Sequence, residues 1–214
     1  MARAAQFHAV LDASELLEGR PFTHPVRTFA DAAVMTAMLQ RQREIVRSWI
    51  DAAAPGASVR DDGTGGERRR YLAVPSLDGL CSAREITAIG FFGQARDRDH
   101  SVLFELERDV ASAFPEYAAA GLLSYFDLEL EDGSYGFGNL ILFSTPDVPR
   151  EWYGNAAHER AVAIAPRNYH SIRLHKGTIH GPFAGTGSVR VDRTKYFDFD
   201  DDPHWRGVLM FPPV

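Results

Sequence analysis

The dipeptide Asp132-Gly133 constrains this chain more than any other two residues. Two runs flank it, Leu122 to Leu130 and Tyr135 to Phe143, and both read as strands. Asp-Gly supplies the positive backbone dihedrals that tight hairpins need, so the two runs are antiparallel neighbours joined by Glu131 to Ser134. Upstream, Ile86 to Phe92 reads as a buried strand. Asp97 to Ala119 reads as a helix with Val102, Leu103, Leu106, Val110 and Phe114 on one stripe, ended near Pro115 and closed by Gly121. Downstream, Arg150 to Ala165 reads as a helix stopped by Pro166, and Tyr169 to Ile179 as a strand. The order is β-α-β-β-α-β. Split βαβ units of this order predict an α+β, ferredoxin-like antiparallel sheet of four strands with both helices on one face, over residues 84–180.

The flanks are expected to be extensions of that core. Residues 1–83 read as an N-terminal helical extension with a flexible loop. A short helix is expected at Asp12 to Glu18. A long one follows from Phe29 to Ala54, N-capped by Thr28, with Val34, Met38, Ile45 and Trp49 on its stripe. The stretch Val59 to Arg70 is polar and carries Gly63, Gly65 and Gly66 without a phosphate-loop pattern, so it reads as a mobile loop. Tyr71 to Val74 is a short strand. Residues 181–214 read as a C-terminal β extension, Ser188 to Phe199 and Gly207 to Phe211. A length of 214 residues suits one domain with elaborations.

Composition removes several function classes. The formal net charge is -6, which argues against a nucleic-acid partner; Arg68, Arg69 and Arg70 read as a solvated cluster. Cys81 is the single cysteine, so neither a disulfide framework nor a cysteine metal cluster forms within the chain, and no His or carboxylate cluster with metal-ligand spacing is present. The N-terminus has no apolar signal core, and no run reaches ~18 apolar residues. The expectation is a soluble cytoplasmic protein with no membrane partner.

Alternation along the strands points to a site. On the last core strand Tyr169, Arg173 and His175 leave one face, while His170, Ile172 and Leu174 leave the helix-covered one. Tyr125, Asp127 and Asn139 are assigned to the open face, with Phe137, Ile141 and Phe143 among them. Aromatic walls holding a few polar groups read as a pocket lining, and a second copy of the sheet across a dimer axis would enclose it. His175 is the candidate general base, with Arg173, Tyr125 or Asn139 stabilising an enolate or phenolate and Asp127 orienting them. Trp152, His158, Tyr169, Phe137 and Ile141 are the candidate substrate contacts.

The element order, the helix with Trp152 and His158, and the strand from Tyr169 to His175 resemble the dimeric α/β-barrel superfamily of ferredoxin-like proteins. That group includes cofactor-free antibiotic-biosynthesis monooxygenases, polyketide cyclases, haem-degrading monooxygenases and haem-binding relatives. The resemblance implies a homodimeric enzyme acting on a small hydrophobic, aromatic or polyketide-like molecule without an organic cofactor, as a monooxygenase or a cyclase/isomerase. It also implies an alternative, a haem enzyme with His158 or His175 as axial ligand. A third reading is a non-catalytic binding or assembly module whose pocket face is a dimer contact.

Overall fold

The computed structural model describes residues 9–12, 16–52, 58–61, 70–96, 101–129, 137–148 and 150–212. The expected turn at Asp132-Gly133, the loop glycines 63, 65 and 66, and residues 13–15 of the short helix expected from Asp12 to Glu18 lie outside them, and the described residues of that stretch, 12 and 16–18, are not helical.

Among the described residues nine strands form one sheet: β1 (Ala9–Leu11), β2 (Ser58–Asp61), β3 (Arg70–Ala73), β4 (Glu85–Ala95), β5 (Leu122–Glu129), β6 (Phe137–Phe143), β7 (Tyr169–His180), β8 (Val189–Asp198) and β9 (Trp205–Met210). Their order is β1-β9-β8-β7-β4-β6-β5-β3-β2. All neighbours run antiparallel except β1 and β9, which run parallel. This overturns the expected four-stranded ferredoxin-like sheet closing a dimeric barrel. The sheet is a wide mixed one that draws strands from all three predicted segments of the chain.

The helices make two layers around it. On one side lies α1 (Pro25–Asp51), with α2 (Leu77–Ser82) beside it. On the other lie α3 (Ser101–Ser112), α4 (Phe114–Ala119), α5 (Arg150–Gly154) and α6 (Ala156–Asn168). The part of the face assigned to a second copy of the chain that carries Arg173 and His175 is therefore covered by α1 of the same chain.

Local chemistry explains these elements. His24, rather than Thr28, caps α1, its Nδ1 accepting from the Val26 amide at 3.0 Å, and Pro25 takes the first helical position, where no amide partner is needed. The buried side chains of α1 include Asp31, Met35, Met38, Gln42, Val46 and Trp49, a stripe at helical spacing. The helix expected from Asp97 to Ala119 divides at Ala113, the cap before Pro115 of α4. The one expected from Arg150 divides at Asn155, whose Oδ1 accepts from the Ala157 amide at 2.8 Å to start α6. Pro166 lies inside the last turn of α6 instead of ending it.

Two apolar clusters sandwich the sheet. Met35, Met38, Leu39, Val46 and Trp49 of α1 pack on Leu72, Ala88, Phe92, Phe126, Leu140 and Leu142. Val110, Phe114, Tyr117 and Trp152 pack on Ile89, Tyr125, Ile141 and Phe143. No helix among the described residues is long and apolar enough to cross a membrane.

Candidate functional site

Arg173 and His175 share one face of β7, but that face is roofed by α1. Their side chains are 2% and 0% exposed, and both meet Asp31, which is 1–2% exposed. Arg173 donates from Nε to Asp31 Oδ2 at 2.6 Å and from its Nη2 to Oδ1 at 3.1 Å, a two-point clasp. His175 Nε2 lies 2.8 Å from Asp31 Oδ2, and its Nδ1 lies 2.8 Å from Thr194 Oγ1. Tyr196 hydrogen-bonds Thr194 and lies 3.0 Å from Thr28. Burial pushes His175 below the ordinary imidazole value against the pull of Asp31. The neutral ring then donates from Nε2 to Asp31 and accepts from Thr194 at Nδ1. Burial alone would raise the Asp31 carboxyl; hydrogen bonds from His175 and Arg173, and the Arg173 charge, hold it below the usual range.

This network joins sheet to helix and leaves His175 no open nitrogen. Both ring nitrogens are engaged and the ring is edge-on to Phe92 at 5.4 Å. A general base needs reach to a ligand, and an axial haem ligand needs a nitrogen facing the iron. The surroundings of His175 fit neither.

The other expected residues lie on the opposite face. Tyr125 sits between Tyr71 and Phe114 under α4, and opposes Ile141, which in turn opposes Ile89. Asp127 opposes Asn139, and Asn139 opposes Phe91, whose ring meets Tyr169 at 5.5 Å. Tyr169 leaves the face of Arg173 because the β4–β7 register shifts between Gln94 and Ala95. Burial and the Asp127 charge push its phenol pKa up. Phe137 begins β6, opposite Gly93. Trp152 is a core residue against Tyr117 at 4.8 Å and Phe143 at 5.7 Å. His158 lies between Trp152 and Tyr153, its pKa lowered by burial. The residues assigned to one pocket are thus divided by the thickness of the sheet. Among the described residues no group of three or more His, Cys, Asp or Glu is placed to hold a metal ion.

An open cleft lies elsewhere, where the cover of α3 to α6 stops and β8 begins. It has a volume of about 220 Å³. Its apolar lining is Ile89, Leu174 and Val148, and the half-exposed Tyr153 of α5 forms part of its wall. Its charged lining is Lys176, Arg193, Lys195 and Asp147, and His175, whose side chain is buried against Asp31, also borders it. The register explains the convergence: Lys176 opposes Arg193 across β7–β8, and Leu174 opposes Lys195. Like charges directly opposed on a sheet repel. Lys176 is compensated by Asp147, to which its Nζ donates at 2.5 Å, and that bond holds the Asp147 carboxyl below its usual range. Burial, then Arg193 and Lys176, push the Lys195 ammonium below the usual lysine value.

Reading the sequence alone misses Asp31, Thr194 and Tyr196 in the buried network and Lys176, Arg193 and Lys195 in the cleft. Asp31 had a signal: it lies four residues before Met35 on the buried stripe of α1. The alternation of Arg193 and Lys195 along β8 was also visible, but not the strand beside it.

No protein-family model, no curated protein and no solved structure matches this chain.

Proposed function

We propose that the protein binds a small organic anion, a carboxylate or a phosphate with an apolar body, in the cleft between β7, β8 and α5. One observation carries this reading: three cationic side chains converge on one concave, part-apolar surface of a chain whose formal net charge is -6. Gathering like charges costs stability, and of the residues that line the cleft Asp147 alone is acidic. A bound anion relieves that repulsion, and the floor of Ile89 and Leu174 accepts an apolar group.

Calorimetric titration with phenyl phosphate, benzoate and neutral benzyl alcohol tests it. The two anions are expected to bind at least ten-fold more tightly than the alcohol, more weakly as salt rises. The double variant Arg193→Gln/Lys195→Gln is expected to lose that preference. Equal binding of the alcohol, or an unchanged preference in the double variant, would overturn the reading.

A further inference from the structure

Tyr153 is a large aromatic side chain left 51% exposed at the wall of the cleft, yet it is held in place. Its neighbour Trp152 is buried against Tyr117 at 4.8 Å and Phe143 at 5.7 Å, which seats α5 on the core. Successive residues of a helix point about 100° apart, so a helix seated on Trp152 turns Tyr153 away from the core, where it lines the cleft. The His158 ring of α6 braces both, 5.9 Å from Trp152 and 5.7 Å from Tyr153. A chain of rings thus runs from Tyr117 through Trp152 and His158 and ends in the accessible ring of Tyr153. A lone exposed apolar residue calls for no explanation. One braced by other rings beside converged cations is a ready contact surface, because a ligand that meets it orders little that was loose. The rest of the apolar lining, Ile89, Leu174 and Val148, is aliphatic and accepts any apolar group that fits. Among the residues that line the cleft Tyr153 alone offers an accessible ring, since the other ring, His175, is 0% exposed.

We propose that the apolar body of the bound anion is an aromatic ring, so that the ligand is an aryl carboxylate or aryl phosphate, and that Tyr153 is the residue that selects it. The proposal rests on the anion-binding reading above and narrows it. The ligand ring lies over Ile89 and Leu174 and meets Tyr153 offset-stacked or edge-to-face, the two arrangements that ring quadrupoles favour. Its anionic group reaches Lys176 and Arg193, which oppose each other across β7–β8. Tyr153 stands close enough to this charged end for such a short ligand to touch both. Burial raises its phenol pKa, while Arg193 pulls it down and Asp147 pushes it up, so the ring lies within the field of the cation and of the carboxylate. A saturated ring of equal charge fills the same floor but forms no ring pair. Ring pairing adds about two- to ten-fold in affinity beyond the area buried.

The test is calorimetric titration of the full chain with benzoate and with cyclohexanecarboxylate, two carboxylates of equal charge at neutral pH and similar size. Burial alone favours the saturated ring, which is the more apolar. Benzoate is nevertheless expected to bind about three- to ten-fold more tightly. Tyr153→Phe should keep that preference. Tyr153→Leu should abolish it while leaving cyclohexanecarboxylate within about two-fold of its parent affinity. Tyr153→Met, which keeps apolar area without a ring, should behave as the leucine variant does and decides the case if that variant does not fold. Equal affinity for the two anions in the parent, or a benzoate preference that survives the loss of the Tyr153 ring, overturns the aromatic class and its selector and leaves the anion site standing. Binding of neither anion by the parent overturns the anion site, and this proposal with it.

Discussion

Replacing Asp31 by asparagine is the sharpest test of how this fold is held together. The carboxylate is the shared acceptor for Arg173 and His175, and all three side chains are at most 2% exposed. The amide would keep the volume and one acceptor but remove the charge, leaving the Arg173 guanidinium buried without this counter-ion. Breaking a buried pair from one side costs about 3–5 kcal/mol. A domain of this size is stable by ~5–15 kcal/mol, and each kcal/mol shifts Tm by about 2–4 °C. Asp31→Asn should therefore lower Tm by roughly 6–20 °C and move the guanidinium chloride midpoint down without changing the slope. The companion is the apolar triple variant Asp31→Leu/Arg173→Met/His175→Phe. Removing all the buried charges together spares their desolvation, and its stability should lie within ~1 kcal/mol of the parent or above it. A single variant that loses less than ~1 kcal/mol, or a triple variant as unstable as the single one, would refute this account.

Three further outcomes follow from the same geometry. His175 titrates lower in the folded chain than its ordinary 6.5. The unfolded chain thus takes up the proton first, stability is full above about pH 6.5, and it falls as pH drops beneath that value. The loss approaches ~1.4 kcal/mol per pH unit, and His175→Gln should flatten it in denaturation curves measured from pH 7.5 to 5. Gly177 sits at the β7–β8 irregularity, where an added Cβ would lie 2.2 Å from the Arg190 carbonyl oxygen, so Gly177→Ala should cost at least ~2 kcal/mol in chemical denaturation. The same change at Gly90 meets the flexible side chain of Met35 and should cost less. Asn155→Ala removes the cap of α6 and should cost about 1 kcal/mol, read as a Tm drop of about 2–4 °C.

The parts legible in the sequence were those set by local periodicity. The strands around residues 86–92, 122–129 and 137–143, the long helix through Met35 and Trp49, and the terminal strands β8 and β9 follow from side chains that repeat at two or near four residues. What periodicity does not carry is register. Alternation divides each strand into two faces but does not say which face of β6 continues which face of β7. Tyr125, Asp127 and Asn139 were grouped with Arg173 on chemical grounds, and the pairing of Asn139 with Phe91, and of Phe92 with Arg173, separates them. The edge strands β1 and β2, of three and four residues, are too short to carry a period. Where α1 packs is a tertiary fact, although one clue lay open: an aspartate on the apolar stripe of a long helix must meet a cation on whatever it covers.

That clue bears on where a ligand can act on this molecule. The densest gathering of imidazole, guanidinium and carboxylate is the least available to a ligand, because Arg173 and His175 satisfy Asp31 and α1 seals them. Groups that satisfy one another inside a core define structure. The cleft by β8 has the opposite character. Its cations oppose one another, it opens to solvent where the helical layer ends, and it holds both lysines of the chain. Like charges gathered at an opening are what a ligand can improve, whereas a closed network offers it nothing. If this contrast governs the molecule, Asp31→Asn should weaken folding while the folded protein still binds phenyl phosphate with parent affinity. Lys195→Gln should do the reverse, lowering affinity while shifting Tm far less than Asp31→Asn does. Loss of both properties in either variant would mean that the network and the cleft are one site.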